Sequence, residues 1–257
     1  MKKYIALTAL LAAGSAFANA AETTIVTENL LTEDGWTMSS RLSRPTWVQD
    51  TDAGTLTLTN SNWSQATATY DFAEDIDLLS FSVNVTRAQS SAGFSFALVG
   101  KDMAVVLGTK DYGDGTLYYG STSSLGNNYY ISSDGKPWDE GVNVTGTKSF
   151  EGIFNYSQTA TLSGTTSLNE KGETVLTLSA SGTASGSGSG AVASIVLGKG
   201  FLLDKIVIGG DGANSTHNWT VSNLTVSFVQ AVPEPSTFGL LAGLGALALV
   251  GTRRRRK

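Results

Sequence analysis

Residues 79–85 read Leu-Ser-Phe-Ser-Val-Asn-Val, and residues 93–99 read Gly-Phe-Ser-Phe-Ala-Leu-Val. Apolar and polar residues alternate in the first run, which is typical of a strand that buries one face, because successive side chains point to opposite sides. The cluster Ser90-Ser91-Ala92-Gly93, which is rich in turn-forming residues, separates the two runs. The pattern therefore predicts two strands joined by a turn.

Short apolar or alternating runs of this kind recur between residues 23 and 230, and clusters of Gly, Asp, Ser and Pro separate them. No long segment there carries apolar residues at helical spacing. The further predicted strands cover 55–59, 66–70, 103–107, 148–156, 174–180, 191–197, 204–208 and 219–228. So many short strands predict an all-β fold, and a two-sheet antiparallel β-sandwich is favoured over a barrel.

The order of the central runs is similar to a known family. Val83-Asn84-Val85, a turn, residues 93–100 and then Val105-Val106-Leu107-Gly108 resemble the central strands of concanavalin A-like, laminin G-like jelly rolls. The closing segments 201–210 and 219–226 also resemble that family, whose final strand often returns to pair beside the first. The resemblance implies a jelly roll over residues 21–230.

Residues 181–190 read Ser-Gly-Thr-Ala-Ser-Gly-Ser-Gly-Ser-Gly, a composition typical of a flexible linker. Alternating runs flank this segment on both sides, and a boundary here would leave only about 40 residues after it, too few to bury a core unaided. We therefore expect the tip of a hairpin within one domain.

The C-terminal residues 231–257 differ sharply in composition from the strands. Residues 238–250 are uncharged and apolar, and as a helix they would reach about 20 Å, less than the ~30 Å hydrocarbon core of a bilayer. A basic cluster, 253–257, follows and is expected to stay on the cytoplasmic side, so that the preceding chain lies outside. We predict a short transmembrane helix at about 237–252.

This tail resembles the PEP-CTERM sorting signal of Gram-negative bacteria. The matching features are Pro233-Glu234-Pro235, the short membrane segment, and the cluster Arg253, Arg254, Arg255 and Arg256. The resemblance implies that an exosortase recognises the motif, cuts the chain and passes it to the cell surface or the extracellular matrix. A plain C-terminal anchor without processing is the alternative.

The N-terminus predicts the same destination. Lys2 and Lys3 precede the apolar run 5–13, and Ala18-Asn19-Ala20 places the small residues Ala18 and Ala20 at a cleavage site. These are the parts of a secretory signal peptide, here residues 1–20, which is recognised by the secretion machinery. With the tail, this predicts a hydrophobic helix at each terminus and a body outside the inner membrane.

Removing leader and tail changes the charge balance of the body. Residues 21–230 keep 10 of the 17 Lys and Arg but 21 of the 22 Asp and Glu, a net charge of −11. Such a surface repels phosphates, which excludes nucleic acid as a partner, whereas a neutral glycan would fit. The chain has no cysteine, so stability must come from a buried core instead of disulfides.

The sequence offers few catalytic groups. His217 is the only histidine and lies in a polar stretch that predicts a loop before Trp219. A catalytic triad or a common zinc site would need it. Glycosidases use paired carboxylates, but Glu74-Asp75-Ile76-Asp77 precedes a predicted strand and lacks a second Glu, and Asp139-Glu140 does not meet the spacing either. We therefore predict a non-enzymatic protein, with a surface glycosidase or lyase as the alternative.

Acidic turns and aromatic pairs are the remaining candidates for ligand binding. Asp111, Asp114, Asp211 and Asn214 could offer oxygens to calcium, but turn chemistry alone explains them, and we predict no metal or cofactor. Aromatic rings stack on sugar faces. The candidate glycan-binding residues in the loop-rich middle are Tyr119, Tyr129, Tyr130 and Trp138.

An alternative explanation exists for the tyrosine pairs, because strand alternation would turn one ring of each pair inward and leave the other as ordinary surface. Taken together, the sequence predicts an exported, lectin-like protein of the cell surface or matrix. A matrix component without any ligand site is a further alternative.

Overall fold

The computed structural model describes residues 23–40, 46–61, 66–87, 93–110, 114–125, 144–150, 159–182, 191–210 and 215–231. One compact unit comprises residues 26–229, and a second consists of the two chain ends, 1–25 and 230–257. Both predicted terminal helices lie outside the described residues. Within the described residues, no helix is long and apolar enough to cross a membrane.

The described part of the chain is built almost entirely from β-strands, as the sequence predicts. The strands are β1 (Thr23–Asn29), β2 (Trp36–Ser40), β3 (Thr46–Asp50), β4 (Thr55–Ser61), β5 (Ala66–Arg87), β6 (Phe94–Gly100), β7 (Met103–Lys110), β8 (Asp114–Ser121), β9 (Gly146–Phe150), β10 (Thr159–Leu168), β11 (Thr174–Gly182), β12 (Ala191–Gly198), β13 (Leu203–Gly210) and β14 (Ser215–Ala231). A 3₁₀ turn spans Leu30–Thr32, and a single helical turn, α1, spans Thr122–Leu125.

Hydrogen bonds connect the strands in the order β12-β11-β10-β5-β13-β6-β7-β8-β9, and the pairs within this order are antiparallel. Off this path, β14 pairs with β1, β4 and β5, β2 pairs with β5, and β3 pairs with β4. The pairing of β14 with β1 is what the jelly roll resemblance implied. The pairing of β11 with β12 confirms the predicted hairpin around residues 183–190, which are not described.

The 22-residue strand β5 belongs to two groups of strands. Its first part, residues 66–71, pairs with β2 and β13 and so joins the β13 group, which also contains β6, β7, β8 and β9. Its second part, residues 77–87, pairs with β10 and β14 and joins the β10 group, which also contains β11, β12, β4 and β3. A single strand thus fixes the relative position of both groups.

Side chains of the two groups meet in the main hydrophobic core. The rings of Phe81 and Phe96 stack with centroids 5.2 Å apart, and Phe94 lies 5.0 Å from Trp219. The buried indole of Trp47 donates a hydrogen bond to the Ala66 carbonyl at 3.1 Å. Burial of each large apolar side chain contributes about 1.5–3 kcal/mol, so these contacts are a principal source of stability in a chain without cysteine.

The β13 group also buries its other face. Ala97, Val99, Ala104, Val106 and Tyr118 form a second cluster, together with Val207 and with Leu125 of α1. All seven residues of β6 are buried as a result. A strand buried on both faces carries a nearly continuous apolar run, which explains the composition of residues 94–99.

Gly164 makes room for the core beneath β10. It lies opposite Phe81 in the register between β10 and β5. A Cβ at Gly164 would overlap Cε1 of Phe81 and come within 3.1 Å of Leu176 and Leu178. The absence of a side chain is therefore required for the Phe81 ring to occupy its place in the core.

Three local predictions were wrong. Glu74 and Asp77 lie within β5 and do not precede a strand, and Asp114 is part of β8 and not of a turn. His217 lies in β14, where its backbone is opposite Thr59, and not in a loop. Carboxylates and polar runs are depleted in strands, but long-range pairing with neighbouring strands outweighs that local preference.

Candidate ligand-binding surfaces

The predicted processing residues flank the described fold. They are Ala18, Ala20, Pro233, Glu234, Pro235, Arg253, Arg254, Arg255 and Arg256, and all lie outside the described residues. The last described strand, β14, ends at Ala231, directly before the sorting segment.

The tyrosine pair on β8 has one ring on each side of the strand. Tyr118 is fully buried in the second cluster, and Tyr119 is partly buried against the main core. The Tyr119 ring lies over Gly146 of the neighbouring strand β9, where a Cβ would come within 2.6 Å of Tyr119 Cζ. Tyr119 therefore offers only part of its ring to a ligand. Tyr129, Tyr130 and Trp138 lie outside the described residues.

A row of partly exposed aromatic rings lies elsewhere, on β2 and β5. Trp36 is opposite Tyr70 in the register, with ring centroids 5.5 Å apart, and Phe72 follows on the same face of β5 at 5.2 Å from Tyr70. The Trp36 indole donates to the Leu30 carbonyl at 2.8 Å, which fixes the ring plane. We name Trp36, Tyr70 and Phe72 the aromatic row. Like Tyr119, all three rings are partly buried against the main core, so each offers only part of its surface to a ligand.

The charges of two carboxylates act on Tyr70 of the aromatic row. Burial first, and then the negative charges of Glu28 and Glu33, raise the pKa of the Tyr70 phenol above its ordinary value. Glu28 is half-buried at the end of β1, and Glu33 is exposed in the loop before β2. Aromatic faces beside carboxylates are the groups that bind sugars, because the ring covers the apolar face of a pyranose while the carboxylates accept hydrogen bonds from its hydroxyls.

Sequence reasoning missed the aromatic row because its members are far apart in the chain. Trp36 and Tyr70 are brought together only by the pairing of β2 with β5. The alternation in β2 is too short to be recognised as a strand. The position of Glu33 follows from the 3₁₀ turn before it, which was not predicted either. The alternation of Tyr70 and Phe72 was the one local signal that two rings share a face.

The outward side of the β10 group is a second surface. Most of its side chains are small and polar, although Val48, Val175 and Val196 also face outward. We name it the hydroxyl face. Its members are Ser80, Ser82, Asn84, Thr86, Thr159, Thr161, Ser163, Thr165, Thr177, Ser179, Ser181, Ser194, Thr220, Ser222, Thr225 and Ser227. Side chains opposite each other on neighbouring strands are joined by hydrogen bonds.

The bonds run across several strands of the hydroxyl face. The hydroxyls of Thr86 and Thr159 are 2.8 Å apart, and Thr161 donates to Asn84 Oδ1 at 2.8 Å. The pair Ser163 and Ser179 follows at 3.1 Å. None of the members named above carries a charge.

Carboxylates do not gather into a metal or catalytic cluster in the part of the chain that the structure describes. No group of three or more His, Cys, Asp or Glu side chains there could hold a metal ion. Glu74, Asp75 and Asp77 are exposed along β5. The other candidates for metal binding or catalysis, Asp111, Asp211, Asn214, Asp139 and Glu140, lie outside the described residues.

Comparison with known proteins identifies the tail. Residues 231–256 match the PEP-CTERM protein-sorting motif. The motif implies an exported protein of the cell surface or the extracellular space that is recognised by sorting machinery of the exosortase type. No curated protein matches the sequence.

Solved structures resemble the body in fold. A laminarinase from Flavobacterium sp. UMI-01 has a TM-score of 0.52 at 8% identity, covering 80% of this chain and 100% of its own. Lectin II from Ulex europaeus has a TM-score of 0.44 at 12% identity, covering 82% and 100%. The Emp46p carbohydrate recognition domain has a TM-score of 0.44 at 13% identity, covering 78% and 94%. The body thus shares the jelly-roll fold that the sequence resemblance implied.

Proposed function

We propose that the chain is a non-enzymatic, glycan-binding protein of the cell surface or extracellular matrix, and that the aromatic row binds a neutral glycan. The observation that carries the proposal is the position of three partly exposed rings beside Glu28 and Glu33. In finer detail, we propose a two-sheet jelly roll with the β13 and β10 groups as its layers. The Phe81–Phe96 and Phe94–Trp219 contacts between the groups support this description.

Charge supports a neutral ligand. The body carries a net charge of about −11, so an anionic polysaccharide would be repelled at long range. A neutral sugar meets no such repulsion, and its hydroxyls donate to carboxylates. The phenol of Tyr70 is protonated near neutral pH, as tyrosines ordinarily are, so its hydroxyl can donate to a sugar oxygen.

The exposure of the carboxylates on β5 supports binding without catalysis. The acid of a glycosidase is a carboxyl group shielded from water, which keeps it protonated near neutral pH. Glu74, Asp75 and Asp77 are all exposed, and they lie along one strand with no shielding side chain over them.

We propose that the C-terminal tail acts as a temporary membrane anchor. It holds the chain transiently in the inner membrane until an exosortase-type enzyme cuts near Pro235 and releases the body to the surface. The N-terminal leader delivers the chain to the secretion machinery and is removed after Ala20. Intact mass spectrometry of surface-released protein tests both steps, because a retained Arg253–Lys257 cluster would instead show a permanent anchor.

The binding test uses a panel of soluble neutral polysaccharides, laminarin, dextran and mannan, measured by affinity electrophoresis and calorimetry. We expect Trp36→Ala to weaken binding at least tenfold, since stacking on one ring contributes about 1–1.5 kcal/mol and the ring also positions Tyr70. Tyr119→Ala is the matched control on β8 and should leave affinity unchanged.

Each other outcome selects an alternative. If Tyr119→Ala abolishes binding and Trp36→Ala does not, the site lies near the tyrosines predicted from sequence. If reducing sugar ends appear during incubation with the wild-type protein, the chain is a glycosidase. If no polysaccharide in the panel binds, a purely structural role is favoured.

A further inference from the structure

Strand β12 forms one end of the hydrogen-bonded order, and among the described strands it pairs only with β11. Four other strands, β1, β2, β3 and β9, also have a single described partner. Three of them contain a charged residue, namely Glu28 in β1, Asp50 in β3 and Lys148 in β9, and β2 is only five residues long. Charge and shortness are the usual means by which proteins prevent strands from pairing at an edge.

Strand β12 lacks these protections. It is eight residues long, reads Ala-Val-Ala-Ser-Ile-Val-Leu-Gly, and contains neither charge nor proline. Ala193, Ile195 and Leu197 are buried towards the core, while Ser194 and Val196 face outward. Val196 is 49% exposed, an unusual position for a β-branched apolar side chain. The edge therefore presents a regular backbone that can accept another strand.

We propose that β12 pairs with β12 of a second copy of this chain, antiparallel and around a two-fold axis. A second copy is favoured by the absence of charge, because β12 can approach itself without placing like charges opposite each other even though the body as a whole is acidic. A two-fold pair is also closed, so that assembly stops at the dimer.

The register of this pair is restricted by symmetry. A two-fold axis perpendicular to the sheet keeps each side chain on its own face, and side chains directly opposite each other share a face. One residue must therefore lie opposite its own copy. We propose the registers that pair the two outward residues, Ser194 and Val196, with each other or with themselves. In these registers Ser194, Ile195 or Val196 lies opposite its own copy.

The dimer would extend the hydroxyl face across both copies, because Ser194 belongs to that face. It would also bring two aromatic rows into one particle, which raises the avidity for a repeating glycan without any new sugar contact. The proposed interface does not depend on glycan binding, so a negative result in the glycan-binding test would not contradict it.

Cysteine crosslinking in the full-length chain tests the pairing directly, since the wild-type chain contains no cysteine. Opposite residues of antiparallel strands have Cα atoms about 4.5–5.5 Å apart, within the range that a disulfide bridges. We expect a disulfide-linked dimer from Ser194→Cys, from Val196→Cys or from the double variant. Val48→Cys is the matched control, because Val48 is 51% exposed on the edge strand β3.

Sedimentation of the uncrosslinked chain provides the second measurement. Val196→Lys should raise the dimer dissociation constant at least tenfold, because it places a charge from each copy in an uncharged interface, while Val48→Lys should leave it unchanged. The proposal is overturned if none of the three cysteine variants crosslinks above Val48→Cys, or if the wild-type chain sediments as a monomer at all concentrations.

Discussion

Strand β6 of the β13 group and strand β11 of the β10 group have similar lengths but different environments. All seven residues of β6 are buried, whereas buried and half-buried residues alternate along β11. Their sequences reflect the difference, since β6 is nearly continuous in apolar residues, whereas apolar and polar residues alternate over 176–181 of β11. The composition of each run therefore indicates whether one or both faces of the strand are buried.

The same difference predicts how well each group of strands tolerates substitutions. Both faces of the β13 group take part in packing, so a change on either side is expected to disturb the core. The β10 group packs with one face only, and its hydroxyl face can vary without cost to the fold. New contacts, such as the proposed β12 interface, can therefore develop on the β10 group with little effect on stability, whereas the aromatic row lies where β2 and the β13 group meet and packs against the main core.

The largest effect is expected for a charge on the second face of the β13 group. Val106 is fully buried in the second cluster, so Val106→Lys should lower the free energy of unfolding by about 4 kcal/mol or more. Thr177→Lys on the hydroxyl face should change it by less than about 0.5 kcal/mol. Urea unfolding measures both, and equal losses would contradict the comparison.

A smaller loss of stability is expected for a substitution on the buried face of β10. Gly164→Ala should cost about 1–3 kcal/mol, because the new methyl group overlaps Phe81. Ser163→Ala is the neighbouring control. It removes only the hydroxyl contact with Ser179 and should cost less than about 0.5 kcal/mol, as measured by thermal unfolding. A stable Gly164→Ala variant would mean that the core relaxes easily.

Substitution at the irregular position in β14 should cause a smaller loss of stability. Asn223 has a φ of 51° and lies where the register with β5 shifts between Ser222 and Thr225. Asn223→Val should cost about 1–2 kcal/mol, since a branched side chain disfavours this left-handed conformation. Asn223→Gly should fall within about 0.5 kcal/mol of wild type in the same denaturation assay, because glycine adopts this φ freely.

The smallest effect concerns Tyr70 of the aromatic row. Its pKa is raised above the ordinary 10.0, so the unfolded chain loses this proton at a lower pH than the folded one. The contribution of Tyr70 is complete below pH 10 and is lost as the pH rises through the folded pKa. Tyr70→Phe should therefore lessen the loss of stability above pH 10, and identical alkaline unfolding curves would contradict this.

Local patterns were sufficient for much of the strand content. The alternation at 79–85 and 174–180 and the apolar run at 93–99 each correspond to a strand within a few residues. Strands β1, β2, β3, β8 and β10 were not predicted. Strands β2 and β3 are short, β8 begins in a run that was taken for a turn, and glycine interrupts β10. In β10 the interrupting Gly164 is explained only by Phe81, which is distant in sequence and adjacent in space.

The candidate site depended even more on long-range pairing. Tyr119 was predicted as a ligand residue because two tyrosines adjoin each other, but a sequence cannot reveal that its ring would cover Gly146. The aromatic row required the pairing of β2 with β5, which no local signal specifies. The sorting tail, by contrast, is read as a linear motif, so sequence alone identified it.

The hydrogen bond between the hydroxyls of Thr27 and Ser227 joins side chains 200 positions apart in the chain, at 2.8 Å. Such distant contacts slow folding, since a long stretch of chain must be ordered before they form. For an exported protein the delay is useful. Strands β1 and β14 lie at opposite ends of the body and can pair only after both have crossed the membrane. The sheet therefore cannot be completed before the whole body is translocated. Folding is thereby deferred to the outer side of the membrane, at the stage when the sorting tail arrives there.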